Sequence, residues 1–129
     1  LEGLWWQSGV QGIDYSRKED FNWISLISLP DFVTRADFDW AVHEATEKKK
    51  LIFQKWSFSP MTRDFGAVFA HSSYYDEPAT VKLMHDFMEQ EGYSLDITDK
   101  RFHHEIYLSD ARRVSSEKLK TVIRHPIKY

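Results

Sequence analysis

Two stretches with helical spacing, residues 34–50 and 76–93, interrupt a chain whose other apolar runs are short and rich in aromatic and aliphatic residues. That interleaving limits the fold more than any other feature. In the first stretch Thr34 followed by Asp37 resembles a capping box with Asp in place of Glu. Phe38, Ala41, Val42 and Ala45 then recur at the helical period. Lys48, Lys49 and Lys50 fall in the last turn, where cations suit the negative end of the helix dipole. In the second stretch Pro78 takes a first-turn position that tolerates proline. Val81, Met84, His85 and Met88 form an apolar stripe, read as core rather than as a cofactor box, and Gly92 is placed as a C-terminal stop.

The intervening segments read as strands. LEGLWWQ (1–7) is apolar and aromatic, and a polar loop (8–20) leads to FNWISLISLP (21–30), which Pro30 ends; these two runs predict an antiparallel pair. LIFQKWSFS (51–59) and FGAVFAHSS (65–73) predict two further strands, and RFHHEIYLSD (101–110) a fifth. SSEKLK (115–120) reads as a turn, and TVIRHPIKY (121–129) as a last strand that Pro126 assigns to an edge. Hairpin-like neighbours favour an α+β fold with an antiparallel sheet over a parallel one. Trp23, Trp40 and Trp56 are expected to be packing residues.

At 129 residues the chain is expected to form one domain. Aromatic residues make up 16%, enough that several should line a surface or cleft. A net charge of −3 gives no basis for binding nucleic acid. The absence of cysteine excludes a thiol nucleophile and fits a cytoplasmic setting. No apolar run approaches the roughly 18 residues of a membrane span. The chain starts without Met, inside a predicted strand, so it reads as part of something longer. There is no Gly-rich phosphate loop, no G-x-S-x-G and no Cys–His pair. His103 and Glu105 could share a metal, but two ligands do not make a site and His71, His85 and His125 show no ligand spacing. Neither metal nor cofactor is therefore expected.

Glu105 is the candidate that stands out. On a strand, Phe102, His104, Ile106 and Leu108 share one face, and His103, Glu105 and Tyr107 the other. A carboxylate between two rings on one face is either wet or looks into a pocket. In a pocket, desolvation raises its pKa, a cationic ligand favours its charged form, and Trp or Tyr faces add cation–π attraction. Trp5, Trp6, Tyr74, Tyr75 and Tyr107 could supply such rings. A carboxyl raised toward neutrality could also act as general base or acid.

HHEIYLSDARR followed by EKLKTVIRHPIK resembles the C-terminal signature of the GyrI-like small-molecule-binding family, in its stand-alone bacterial branch. YYDEPATVKLMHDFMEQEGY looks like the loop and second helix of that family, and EGLWW and LPDFVT like its central strand and the entry to its linking helix. The resemblance implies two pseudo-symmetric strand–helix–strand–strand units, with helices on one face of the sheet and a groove between the units. Residues 1–33 would be the remainder of the first unit, 34–50 the linking helix and 51–129 the complete second unit. It places the family's pocket glutamate at Glu105, a pocket tyrosine at Tyr74 and a tryptophan pair at Trp5 and Trp6. Ser72 and Ser73 replace the usual Gly-Pro, and Ala111 a usual proline. The first strand and helix of the first unit have no counterpart here, so they belong to a longer chain or are replaced by contacts in a homodimer.

The expected function is binding of bulky, amphipathic, aromatic and cationic small molecules, with Glu105 as anionic contact and Trp5, Trp6, Tyr74, Tyr107 and His103 around it. The alternative is a hydrolase that opens the strained cyclopropane of DNA-alkylating compounds, with Glu105 and Tyr74 catalytic. A protein-binding gyrase inhibitor is a third reading. On this reading Phe102, Ile106 and Leu108 pack under the helices, and His103, Glu105 and Tyr107 look into the groove.

Overall fold

In the computed structural model, residues 1–10, 12–49, 57–59, 77–98 and 100–129 are described, together with the backbone of 67–73. The strands are β1 (Glu2–Gln7), β2 (Phe21–Leu26), β3 (Ala67–Ser73), β4 (Ser94–Leu95), β5 (His103–Tyr107) and β6 (Lys120–Lys128); the helices are α1 (Arg35–Lys49) and α2 (Glu77–Gln90). The fold is α+β with an antiparallel sheet, as the interleaved periods predict. Its order is β2-β1-β5-β6-β3, with β4 paired to the end of β6. The predicted strand at 51–59 lies largely outside the described residues.

The chain divides into two units. The larger comprises Leu1–Ile27 and Asp64–Tyr129, and the smaller Ser28–Arg63. In the smaller unit α1 begins at the expected capping box. The Thr34 amide donates to Asp37 Oδ2 at 2.8 Å and the Asp37 amide donates back to Thr34 Oγ1 at 3.3 Å. Phe38 meets Phe58 at 5.6 Å between ring centroids. No residue of α1 is buried, and Trp40 is 66% exposed, against its expected packing role.

In the larger unit the register defines the faces. Trp5 lies opposite His103 and Gly3 opposite Glu105 across β1 and β5, while Glu105 lies opposite Ile123 across β5 and β6. Residues 3, 5 and 7, 103, 105 and 107, and 121, 123 and 125 therefore share one face. α2 covers that face through Val81 and Met84, which pack on fully buried Ile123, with Tyr15 against the same cluster. Burying a side chain such as Ile123 contributes about 1.5–3 kcal/mol. Met88 is buried as well. α2 ends in a Schellman motif: Gly92, at φ +80°, donates to Glu89 O at 3.1 Å and Tyr93 to Met88 O at 3.0 Å.

Three expectations are corrected. α2 lies on the face of His103 and Glu105, not on that of Phe102, Ile106 and Leu108, and Leu108 is 54% exposed. The period of two was right, but it cannot say which face a helix takes. β2 stops at Leu26, because β1 ends opposite it at Glu2; Ile27 and Leu29 run on exposed. β6 is not an edge: it sits between β5 and β3. Its pairing with β5 covers only Thr121–Arg124, so Pro126 falls where that neighbour has already ended.

Candidate functional site

The site is built where the N-terminus of α2 meets the middle of β5. Glu105 carries the convergence. Its Oε1 is 2.9 Å from His103 Nε2, Tyr107 follows on the same face of β5, and Glu77, in the first turn of α2, comes within 4.8 Å of it. Glu77 Oε1 accepts from the Tyr15 hydroxyl at 2.9 Å and lies 3.8 Å from His103 Nε2. The side chains of Glu105 and Glu77 are 13% and 27% exposed, so the pair is dry but reachable.

Each partner is held by a further one. Trp5 donates its indole N–H to the Tyr107 hydroxyl oxygen at 3.0 Å. That bond occupies the space over Gly3: a Cβ there would stand 2.7 Å from Tyr107 Oη and 2.8 Å from Trp5 Nε1. Buried Gln7 organises the loop that carries Tyr15. Its Nε2 donates to Asp14 O and Arg17 O at 3.0 and 2.8 Å, and its Oε1 accepts from the Asp14 amide at 2.8 Å. Beyond His103, Nδ1 meets Nε2 of His125 at 2.6 Å, and His125 Nδ1 meets Nε2 of His85 at 2.9 Å.

Electrostatics separate the two carboxyls. Burial, followed by the charge of Glu105, raises Glu77 above the usual glutamate range. Burial also pushes Glu105 up, but hydrogen bonds from His103, Tyr107 and Glu77 and the charge of His103 outweigh it and hold Glu105 below that range. Glu77 is thus the member that keeps a proton to higher pH. Burial raises both phenols well above their usual value, so Tyr15 and Tyr107 act as hydrogen-bond donors and not as phenolates.

Of the residues expected around Glu105, the structure brings together Trp5, His103 and Tyr107. Trp6 is on the opposite face, its ring 4.9 Å from Phe102, so it does not reach Glu105. Adjacent residues on a strand cannot share a face. Tyr74 and Tyr75 lie outside the described residues. Trp23 is 60% exposed yet lies opposite Trp5, 6.2 Å between centroids, and Phe21 meets Trp5 edge-on at 6.0 Å. These three rings extend an aromatic surface away from the carboxyl pair on the same face.

Glu77, Tyr15, Gln7, His85 and His125 were not among the expected site residues. Glu77 gives no periodic signal, because a first-turn glutamate suits any helix. Its position beside Pro78, on the helix that follows YYD, was the one pointer. His85 and His125 showed no ligand spacing because 40 residues separate two rings that touch. Glu77 also adds a third ligand-capable group to His103 and Glu105, with the three atoms within 4.8 Å of one another. Glu77 also accepts from Tyr15, and His103 meets Glu105 within hydrogen-bond distance.

No helix among the described residues is long and apolar enough to cross a membrane. No family model and no curated protein matches the chain. Solved structures do. An uncharacterized conserved protein from Listeria innocua is 36% identical, with a TM-score of 0.79, over 98% of this chain and 62% of that one. Two hydrolases from Listeria innocua are 32% and 34% identical, each with a TM-score of 0.73, over 98% of this chain and 61% and 62% of theirs. The chain therefore spans about three fifths of the length of these neighbours.

Proposed function

We propose that the chain supplies the acid–base centre of a hydrolase for bulky aromatic small molecules, of the GyrI-like kind its sequence resembles. The observation that carries this reading is the placing of two carboxyls together: Glu77 and Glu105 come within 4.8 Å of each other beside His103, with Tyr15 donating to Glu77 and His103 against Glu105, in surroundings that favour the proton on Glu77. Such a pair has an acid and a base assigned in advance. A plain anionic contact for a cation would not need the second carboxyl. The hydrolase neighbours support the same direction.

In this reading the Trp5, Phe21 and Trp23 rings hold a flat substrate by stacking. Glu105 takes a proton from water, and the water oxygen bonds to a ring carbon of a strained cyclopropane. A C–C bond of that same carbon, anti to the incoming oxygen, breaks; its electron pair passes into the conjugated system, and the oxygen that gathers the charge takes the proton of Glu77. Glu105 then returns its proton to Glu77. Tyr107 and Tyr15 keep the two carboxyls oriented.

The second reading, binding without turnover, draws on the same carboxyls beside the same rings, which would hold an aromatic cation. Incubation with a cyclopropane-bearing alkylator, followed by mass spectrometry, separates them. A ring-opened, water-added product that disappears in Glu105→Gln supports the hydrolase. Quenching of tryptophan emission with the compound recovered intact leaves binding alone.

A further inference from the structure

We propose that His85, His125 and His103 form a proton relay through which the Glu105–Glu77 pair exchanges protons with solvent at the surface of α2. The three rings run in file. His85 Nε2 meets His125 Nδ1 at 2.9 Å, His125 Nε2 meets His103 Nδ1 at 2.6 Å, and His103 Nε2 meets Glu105 Oε1 at 2.9 Å. His103 and His125 are essentially sealed from solvent, whereas His85 is partly exposed. Three helix and strand positions from α2, β5 and β6 thus converge on one line from the surface to the carboxyl.

A neutral imidazole carries one N–H and one bare nitrogen. With one proton per ring, only two arrangements satisfy all three contacts. In the first, each ring carries its proton on Nε2, and the file donates His85 to His125, His125 to His103 and His103 to an ionised Glu105. In the second, each proton sits on Nδ1, every bond is reversed, and Glu105 carries a proton that it donates to His103 Nε2. The two differ by one proton. Taking one at His85 Nδ1 and passing each Nε2 proton to the next group converts the first into the second, and the reverse passage restores it. No ring has to turn over, and no contact is lost in either state.

Burial holds His125 down to about 3, with the charges of His103 and His85 acting in the same direction, so this ring does not store charge near neutral pH. Transfer through it is then a coupled shift of protons and not a stop at an imidazolium. Among the described residues, the groups facing the file are Glu77, Asp86 and Glu89 from α2, Glu105 and Tyr107 from β5, and Tyr15 from the loop. Burial lowers His85 while Asp86 and Glu89 counter it, which suits an outer station that picks up and releases protons readily. The proposal does not depend on turnover, and its test needs no substrate.

The test is solvent exchange of the histidine ring protons in the 15N-labelled chain. The relay predicts protons on Nε2 of all three rings above pH 7, and exchange at His103 and His125 faster than that of the surrounding backbone amides. His85→Leu should slow both at least about tenfold. His85→Gln, which can still donate to His125 but cannot pass a proton on, should slow them equally, and free imidazole added to His85→Ala should restore exchange. Unchanged exchange in the folded Leu or Gln variant overturns the relay. So does a mixture of tautomers along the file.

Discussion

β5 carries two adjacent histidines, each hydrogen-bonded to a glutamate, and among the described residues only His103 joins a file of further histidines. On one face His103 meets Glu105, and behind that pair stand Glu77, Tyr107, Tyr15, His125 and His85. On the other face His104 Nε2 meets Glu2 Oε2 at 2.7 Å with Arg124 opposite on β6, and among the described residues His104 Nδ1 is buried without a hydrogen-bond partner. Burial lowers His104, although Glu2 acts the other way. A buried histidine–carboxylate pair is thus no signature of a site by itself. What distinguishes the first face is a second carboxyl, which divides one proton unequally, and a chain of rings leading away from it.

The largest effect should come from removing the two carboxylates in turn. Glu105→Gln should lower hydrolysis by about 10²–10⁴, the usual worth of a positioned base. Glu2→Gln should leave it within about threefold, by the same reasoning about position. Product formation measured by mass spectrometry makes that comparison, and equal losses in both variants would erase it.

The histidines come next. His125→Leu strands His103 Nδ1 and His85 Nε2, each at about 1–3 kcal/mol, so stability should fall by about 2–6 kcal/mol. His104→Leu removes a nitrogen that already lacks a partner and strands a single group, the Glu2 carboxylate, so it should cost about half as much. Urea unfolding of both variants reads the difference.

Much of this contrast was legible in the sequence, and the reasons it was incomplete are specific. The alternation of RFHHEIYLSD placed His103, Glu105 and Tyr107 together and separated them from His104. The same alternation forced Trp5 and Trp6 apart, without saying which met Glu105; the Trp5–His103 register settles it in favour of Trp5. Local pattern cannot report contacts across long separations. Glu77 reaches Glu105 over 28 residues and His85 reaches His125 over 40, and neither has a periodic signature. The helix caps at Thr34 and Gly92 were readable because their chemistry is local. The side of the sheet that α2 covers depends on tertiary packing, and that is where the sequence-based expectation failed.

The neighbours across β1 give a third comparison. Opposite Glu105 stands Gly3, and opposite His104 stands Leu4. Gly3→Ala should push its Cβ into the Trp5–Tyr107 hydrogen bond and cost about 1–3 kcal/mol, with a shifted tryptophan emission. Leu4→Ala should leave the emission of Trp5 unchanged, since its side chain points to the other face.

The smallest effect per step is the pH dependence. His125 is held near 3 in the folded chain against 6.5 when free. Between those values the unfolded state binds the extra proton, so this residue's contribution is full above about pH 6.5 and is lost as the pH falls toward 3. The slope approaches about 1.4 kcal/mol per pH unit from this one group. The depressed Glu105 adds to the loss at lower pH, and the raised Glu77 opposes it. His125→Gln should flatten the profile of urea midpoints between pH 6 and 4, and His104→Gln should flatten it less.

The central claim is that Glu77 and Glu105 divide one proton unequally. Carboxyl 13C shifts followed through a pH titration, and assigned with Glu77→Gln and Glu105→Gln, test it most directly. The account predicts that Glu77 titrates above the ordinary glutamate value and Glu105 below it, and that Glu77 moves down when Glu105 is replaced by Gln. Two carboxyls that titrate together at the ordinary value, each indifferent to loss of the other, would contradict it.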